Sequence, residues 1–512
     1  MSLREFIELL RREGELAVVE APVDPYLEMA EIADRASKAG GPALLFRRPE
    51  HAASGRAATG PTGAAGAAGD APAGVGESPA NAHHFTGPAL PVLMNQFGSY
   101  RRLELALGAP LDEIAGRIGE LVELQVPKGL VGKVRALGQL RELASFTPKL
   151  TKKAAFNEVV VGRPDLGHLP VLTTWPGDGG PFITLPVVVT KDREGRRNAG
   201  MYRLQVYDRR TTGMHWHVHH DGAANFRQAD GRLEVAVALG TDPAVTYAAT
   251  APLPPGIDEF MFAGFLRGEP VELAPCATVD LEVPADAEIV LEGYVERDEL
   301  RREGPFGDHT GYYSLADDYP VFHLTRMSMR RDAVYPATVV GRPPMEDCFL
   351  GKATERLFLP LLRLTLPEIV DLDLPVEGVF HDCAIVAIRK AYPGHARKVM
   401  SAVWGMGQMM FTKFVVVVDE HVDVHDYSEV TWRVFNNVDP RRDTMVVDGP
   451  LDVLDHSSPT ARYGAKMGVD ATRAWPEEGH VREWPDELAM DPAVVARVTA
   501  RWAELGLPFS TP

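Results

Sequence analysis

The chain has 512 residues but only three cysteines, Cys276, Cys348 and Cys383, far apart and without a CxxC pair. Such spacing excludes a disulfide scaffold and a zinc–thiolate site, and fits a reducing compartment. No run of about 18 apolar residues occurs, so no transmembrane segment is expected. The first residues lack an apolar leader core, and Ser2-Leu3-Arg4-Glu5 reads instead as a helix capping box. A cytoplasmic protein is the expectation. Basic residues are in deficit: 53 Lys and Arg stand against 71 Asp and Glu, a net charge of −18. This balance argues against nucleic-acid binding but permits a local basic pocket for an anion. A phosphate loop of the GxxxxGK[ST] type, a GxGxxG after a strand and a GxSxG elbow are all missing, so nucleotide hydrolysis and serine-hydrolase chemistry have no support.

The length exceeds what one core can serve, so two or three domains are expected. Leu3, Phe6, Ile7 and Leu10 recur at a helical period that stops at Gly14. Strand character begins at Val18-Val19, Pro25 to Ala39 returns to helix, and Ala43-Leu44-Leu45-Phe46 reads as a buried strand. Residues 51–84 are mostly Ala, Gly, Pro and Ser and cannot bury enough surface to offset their ordering entropy. They are expected to be a disordered insertion, a tolerated loop or an arm for a partner. From 155 to 330 the pattern is strand-rich: Phe182–Thr190, Tyr202–Tyr207, Leu233–Leu239 and Glu288–Val295, with a helix from Asp258 to Leu266. Glu296, Glu299, Arg301 and Arg302 are expected to be solvated helix or loop charges. Beyond 330 the character becomes α/β, with strands at Cys383–Ile388 and Phe414–Val418, a helix from Gly394 to Trp404, and a last helix opened by Asp491-Pro492.

Three runs carry chemistry. In Glu303-Gly304-Pro305-Phe306-Gly307-Asp308-His309-Thr310-Gly311-Tyr312-Tyr313, two acids flank a turn. Near an arginine, one acid of such a pair can stay ionised while apolar surroundings keep the other protonated; otherwise the pair is simply solvated. Arg203, in Asn198-Ala199-Gly200-Met201-Tyr202-Arg203, shares a strand face with Gln205 and Tyr207, and its fork suits a substrate carboxylate or a buried ion pair. His215, His217 and His219 alternate, so on a strand they share a face, either as a metal site or as a hydrogen-bonded row. Asn198 and Glu259 offer oxygen ligands that, with a histidine, suit Mg²⁺ or Mn²⁺.

Four runs, in this order and spacing, resemble the UbiD family of decarboxylases, which use prenylated FMN: Asn198–Arg203, Met214–Ala223, Asp258-Glu259-Phe260 leading to Gly268, and Glu303–Tyr313. The likeness extends from about residue 2 to 480 outside the insertion, and Gly464–Thr472 adds to it. The resemblance implies a mixed α/β fold: an N-terminal α/β domain (1–125), a central flavin-binding split β-barrel (126–330) and a C-terminal α/β domain that oligomerises (331–512). It implies metal ligation by Asn198, His219 and Glu259, with His220 a competitor for the histidine position. Flavin contacts would come from Met201, Tyr202, Arg203, His215, Trp216, His217, His219, His220, Asp221 and Lys413. Arg203, Glu303 and Asp308 match the catalytic triad, with Asp308 where some members have Glu. The implied cofactors are prenylated FMN and Mn²⁺ or Mg²⁺, with K⁺ as a further ion, and a flavin prenyltransferase as supplier. The implied reaction is non-oxidative decarboxylation of a hydroxybenzoate- or hydroxynaphthoate-type acid in menaquinone or ubiquinone synthesis, by a homodimer or homohexamer. A prenylated substrate would draw the protein to a membrane surface. Three other readings stand beside this one: a decarboxylase of other aryl or unsaturated acids in catabolism or secondary metabolism, a metal-dependent hydrolase built on His215, His217 and His219, and a non-catalytic subunit.

Overall fold

A computed structural model describes residues 1–51, 90–122, 141, 143–217, 221–254 and 256–507. The low-complexity insertion expected at 51–84 lies, from residue 52 onward, outside the described residues. The protein has a mixed α/β fold arranged around three main sheets.

The first sheet has the order Leu16–Val23, Ala43–Pro49, Val92–Met94 and Tyr335–Pro336. The helix Leu3–Arg12 begins with the expected capping box, in which Ser2 and Glu5 satisfy each other's backbone N–H groups. Its apolar stripe, Leu3, Phe6, Ile7 and Leu10, is buried. The strand at Tyr335–Pro336 returns from beyond the central sheet, which ties the two parts together.

The central sheet runs Thr211–Gly213, Asp317–Met329, Ile289–Glu303, Arg232–Leu239, Val187–Lys191, Arg197–Met201, with Val159–Val160 also paired to Asp317–Met329. Its two long strands form an antiparallel ribbon that ends with Glu303 opposite Asp317. Three expectations change here. The charges Glu296, Glu299, Arg301 and Arg302 belong to the Ile289–Glu303 strand, not to a helix or loop, and lie on its exposed outer half. The apolar run Phe182–Thr190 is two strands, Phe182–Ile183 and Val187–Lys191, interrupted at Pro186, which has no N–H to give a ladder. Likewise Tyr202–Tyr207 holds only the short strand Leu204–Gln205.

The third sheet has the order Ile369–Asp373, Cys383–Ile388, Phe414–Asp419, Tyr463–Asp470, Thr444–Pro450. The apolar strands are covered on both faces, as their composition requires: Val415 and Val417 pack with the helix His395–Trp404, and Val418 with Val430 of the helix Tyr427–Asn437. The helix Glu346–Thr365 leads into this unit and packs on the helix Leu111–Val122. Among the described residues no helix is long and apolar enough to cross a membrane.

Candidate active site

The site assembles where the strand Arg197–Met201 ends, because the chain must leave the sheet there. Arg197 anchors the approach, pairing with Asp258 at 2.8 Å and with Glu282 at 3.2 Å. Asp258 is the N-cap of the helix Glu259–Arg267, accepting from the Met261 N–H. This places Glu259 on the strand: its Oε2 accepts from the Ala199 N–H at 3.1 Å. Asn198, buried beside it, donates to the Tyr202 hydroxyl at 3.5 Å. Glu259 therefore meets the backbone one residue from Asn198. Both offer oxygen donors, the chemistry a hard divalent cation takes. His219 and His220 lie outside the described residues, and Asp221 begins the helix Asp221–Gln228.

The chain then crosses from Met201, whose N–H donates to the Ala249 carbonyl at 3.0 Å, to Arg203. The segment 214–217 runs alongside, with the His215 N–H donating to the Arg203 carbonyl at 3.3 Å. It is irregular and not a strand, so His215 and His217 do not share a strand face, and the third histidine of the expected row, His219, lies outside the described residues. His215 turns towards Glu303, with Nδ1 3.0 Å from Oε1, and its ring lies 4.4 Å from that of Tyr319. Trp216 is buried between Tyr202 and Phe226, with ring centroids 6.5 and 5.7 Å away. His217 lines a cavity of about 230 Å³ with Trp216, Tyr319 and Arg462. A larger cavity, about 1310 Å³, lies beside Met1, Arg12 and Lys153 and includes none of the residues singled out for chemistry.

The Glu303–Tyr313 turn supplies the acids. Gly304 stands at φ +89°, which favours glycine, and a Cβ on Gly307 would fall 2.0 Å from the Trp175 ring. Asp178 fixes the turn by accepting from the Gly307 N–H at 2.8 Å. Arg203 sits between the two acids: Nε donates to Glu303 at 3.2 Å, Nη1 to Asp308 at 2.6 Å and Nη2 to Ser314 at 3.2 Å. Its guanidinium lies 4.3 Å from the centroid of the Phe306 ring. A guanidinium has five N–H groups. Three are taken here among the described residues, and the two that remain can clasp one more carboxylate.

Both acids are buried, with 1% exposure at Glu303 and 6% at Asp308. Burial opposes their ionisation, but His215 and Arg203 hold Glu303 below the ordinary carboxylate range, and Arg203 and His309 hold Asp308 far below it. This corrects the expectation that one acid is kept protonated by apolar surroundings, because the arginine reaches both. Burial also raises Tyr319, next to Glu303, to about 12.

Lys413 lies in the third unit and pairs with Asp455 at 2.8 Å and with Ser457. The ring of the neighbouring His456 lies tilted against that of Tyr312, centroids 4.0 Å apart, so the lysine stands one loop from the turn and does not join the Arg203 cluster. Ser314, Phe306 and His381 are among the participants that escaped the sequence reading. Ser314 and Phe306 meet Arg203 through the local pairing of Phe306–Gly307 with Tyr313–Ser314. His381 reaches His309 from the third unit with Nε2 atoms 2.8 Å apart, and nothing in the sequence links residues so distant.

Buried polar atoms near the cluster with no hydrogen-bond partner among the described residues include the Glu303 Oε2 acceptor and the Trp216 Nε1 donor. A heterocycle with both donor and acceptor edges, such as a flavin, would suit such a lining.

Comparison with known proteins places the whole chain. Models of the 3-octaprenyl-4-hydroxybenzoate carboxy-lyase N-terminal, Rift-related and C-terminal domains match residues 7–67, 149–343 and 348–471. An uncharacterised protein of Archaeoglobus fulgidus is 51% identical over 510 residues, covering 98% of each chain. One from Aquifex aeolicus is 44% identical over 514 residues, covering 99% of this chain and 98% of its own. The closed form of vanillic acid decarboxylase from Sedimentibacter hydroxybenzoicus superposes with a TM-score of 0.77 at 27% identity, covering 98% of both chains. HmfF from Pelotomaculum thermopropionicum, a UbiD-class enzyme solved with FMN, gives 0.76 at 28% identity, covering 97% of this chain and 98% of its own. An evolved dimeric form of HmfF, solved with prFMN, gives 0.73 at 27% identity, covering 96% and 98%.

Proposed function

The chain belongs to the UbiD family of carboxy-lyases, and from that premise we propose that it removes CO₂ from an aromatic acid of hydroxybenzoate or hydroxynaphthoate type, using prenylated FMN. The observation that carries this reading is Arg203, clamped between two ionised acids with two N–H groups left over among the described residues. Held this way, the fork is rigid and aimed, and it can orient a substrate carboxylate at little entropic cost.

Departure of CO₂ leaves an electron pair on an sp² carbon, and no side chain can accept it; prenylated FMN, when bound, supplies the electron sink. Asn198, Glu259 and His219 would hold a Mn²⁺ or Mg²⁺ ion that offsets the charge of the cofactor phosphate, and K⁺ is a further candidate ion. Met201, Tyr202, His215, Trp216, His217, His220 and Asp221 would line the cofactor, with Lys413 nearby. Glu303 fixes Arg203 through Nε and His215 through Nδ1. Asp308 returns a proton to the carbon that lost CO₂.

The physiological role proposed is a step in menaquinone or ubiquinone synthesis, in the cytoplasm, at the membrane surface where the substrate is prenylated. The three domains would be those bounded near residues 125 and 330, and the assembly a homodimer or homohexamer supplied by a flavin prenyltransferase. Protein loaded by such a prenyltransferase, incubated with hydroxybenzoates, dihydroxynaphthoates and acrylic acids, tests the reading. CO₂ release from a hydroxyaryl acid is expected. Turnover of simple acrylic acids alone would defeat the quinone assignment.

A further inference from the structure

The acid assigned to deliver a proton is held as a carboxylate, so the proton must come from elsewhere. We propose that His309 is that source: it passes its Nδ1 proton to Asp308 and is held for the task by His381 from the C-terminal unit. The proposal rests on the decarboxylase reading above.

The geometry is specific. Asp308 divides its two oxygens: Oδ2 accepts from Arg203 at 2.6 Å, while Oδ1 faces His309, 2.9 Å from the backbone N and 2.9 Å from Nδ1. A nitrogen facing a carboxylate carries the hydrogen, so Nδ1 is a donor. The other nitrogen, Nε2, lies 2.8 Å from His381 Nε2, so one ring must donate and the other accept. With His309 as imidazolium it donates at both ends. His381 then accepts at Nε2 and carries its hydrogen on Nδ1, 3.2 Å from Asp382 Oδ1.

The loop bearing His381 is built for this contact. Val379 and Phe380 stand at φ 45° and 53°, in a region β-branched and bulky residues avoid. Phe380 stacks on the His309 ring at 5.2 Å, and its side chain lies so close to Gly351 that a Cβ there would come within 2.7 Å. The charged and titratable groups around His309 are Asp308 with its partner Arg203, Asp347 at the start of the helix Glu346–Thr365, Asp452, His381 and Asp382. Burial opposes the charge on His309, but Asp308, then Asp347 and Asp452, raise it to about 9. Burial in turn lifts Asp347 to about 7.

The step balances. The His309 Nδ1–H bond breaks as Asp308 O–H forms. That O–H bond breaks as the carbon's electron pair, freed by the departing CO₂, takes the proton. Nothing is oxidised or reduced, neutral His309 regains a proton from water, and each turnover consumes one proton. His309 acts through Asp308 and is a positioning, proton-supplying residue.

The test uses full-length, cofactor-loaded protein with ¹³Cε1-labelled histidine, the His309 signal being identified by its loss in His309→Gln. In the wild type the signal should titrate near pH 9, and in Asp308→Asn its midpoint should drop. With whichever hydroxyaryl acid the wild type decarboxylates, His309→Gln should lower kcat about a hundredfold at unchanged KM and cofactor absorbance, and abolish the alkaline limb of the kcat profile. His381→Leu, which removes only the far acceptor, should move that limb to lower pH. A wild-type midpoint at or below 7, or a His309→Gln enzyme within about threefold of wild-type kcat, far short of a general acid's contribution, would overturn the proposal. A wild type that titrates near pH 9 but decarboxylates nothing would overturn the decarboxylase reading, and the relay's use with it, while leaving the charged imidazole established.

Discussion

Replacing Arg203 by lysine keeps the charge and removes the fork. Three nitrogens now serve three partners, Glu303 at 3.2 Å, Asp308 at 2.6 Å and Ser314 at 3.2 Å, and the guanidinium faces Phe306 at 4.3 Å. An ammonium has one nitrogen on a flexible stem, and the shortest contact, to Asp308, is the one it would keep. Glu303 would retain His215 but lose one hydrogen bond to a charged donor, worth about 1.5–3 kcal/mol. Weakening of the stacked cation over Phe306 adds about 0.5–1 kcal/mol. The expected destabilisation is therefore about 2–4 kcal/mol, or a fall of about 5–15 °C in the unfolding midpoint of a unit of 150–250 residues. Catalysis should suffer as well, because the two N–H groups that would clasp the substrate carboxylate no longer lie in one plane. A loss of about 3 kcal/mol in orientation corresponds to about a hundredfold in kcat/KM. The assay is CO₂ release by cofactor-loaded Arg203→Lys, with loading read from flavin absorbance and the midpoint from calorimetry. A variant that loads normally and keeps at least about a third of wild-type kcat/KM would show that the fork does not orient the substrate, since so small a change is under 1 kcal/mol of transition-state stabilisation.

Three further outcomes are expected. Asp308→Asn should retain cofactor and lose turnover by about 10²–10⁴-fold, the usual worth of a general acid; near-normal decarboxylation would remove Asp308 from that role. Glu259→Ala, or treatment of the wild type with a chelator, should release metal and cofactor together, as read by elemental analysis and absorbance; a fully loaded variant would sink the metal assignment. Stability should depend on pH at both ends. The depressed Glu303 and Asp308 stabilise above their ordinary values of 4.5 and 3.8, and this is lost as pH falls through their folded values. The raised His309 stabilises fully below 6.5, and its contribution fades as pH climbs through about 9. The unfolding midpoint of the wild type should thus be highest between about pH 4.5 and 6.5, and Asp308→Asn should flatten the alkaline decline; an unchanged decline in that variant would contradict the pairing.

Much of the scaffold was legible because local signals governed it. Ser2 and Glu5 cap the first helix as read, Asp258 caps the helix that carries Glu259, and the Val-rich strand Phe414–Asp419 sits inside a sheet covered on both faces. The 303–313 turn was recognisable from its glycines and proline, and both of its acids reach Arg203. What failed depended on tertiary partners. Alternation at His215 and His217 presumes a strand, but the segment 214–217 is shaped by the packing of Trp216 and by Glu303. The ionisation of Asp308 could not be read from its neighbours in sequence, because Arg203 lies 105 residues away. His381 meets His309 across 72 residues through a loop with two residues at positive φ, which no periodicity signals.

Whether this chain works with prenylated FMN is decided by native mass spectrometry, with a visible spectrum, of the full chain co-expressed with a flavin prenyltransferase. The expected result is protein carrying a species heavier than FMN by one prenyl unit, together with a divalent ion, and a flavin spectrum. Protein that binds zinc and no flavin would contradict it, and would return the histidines at 215 and 217 to the reading of a metal hydrolase.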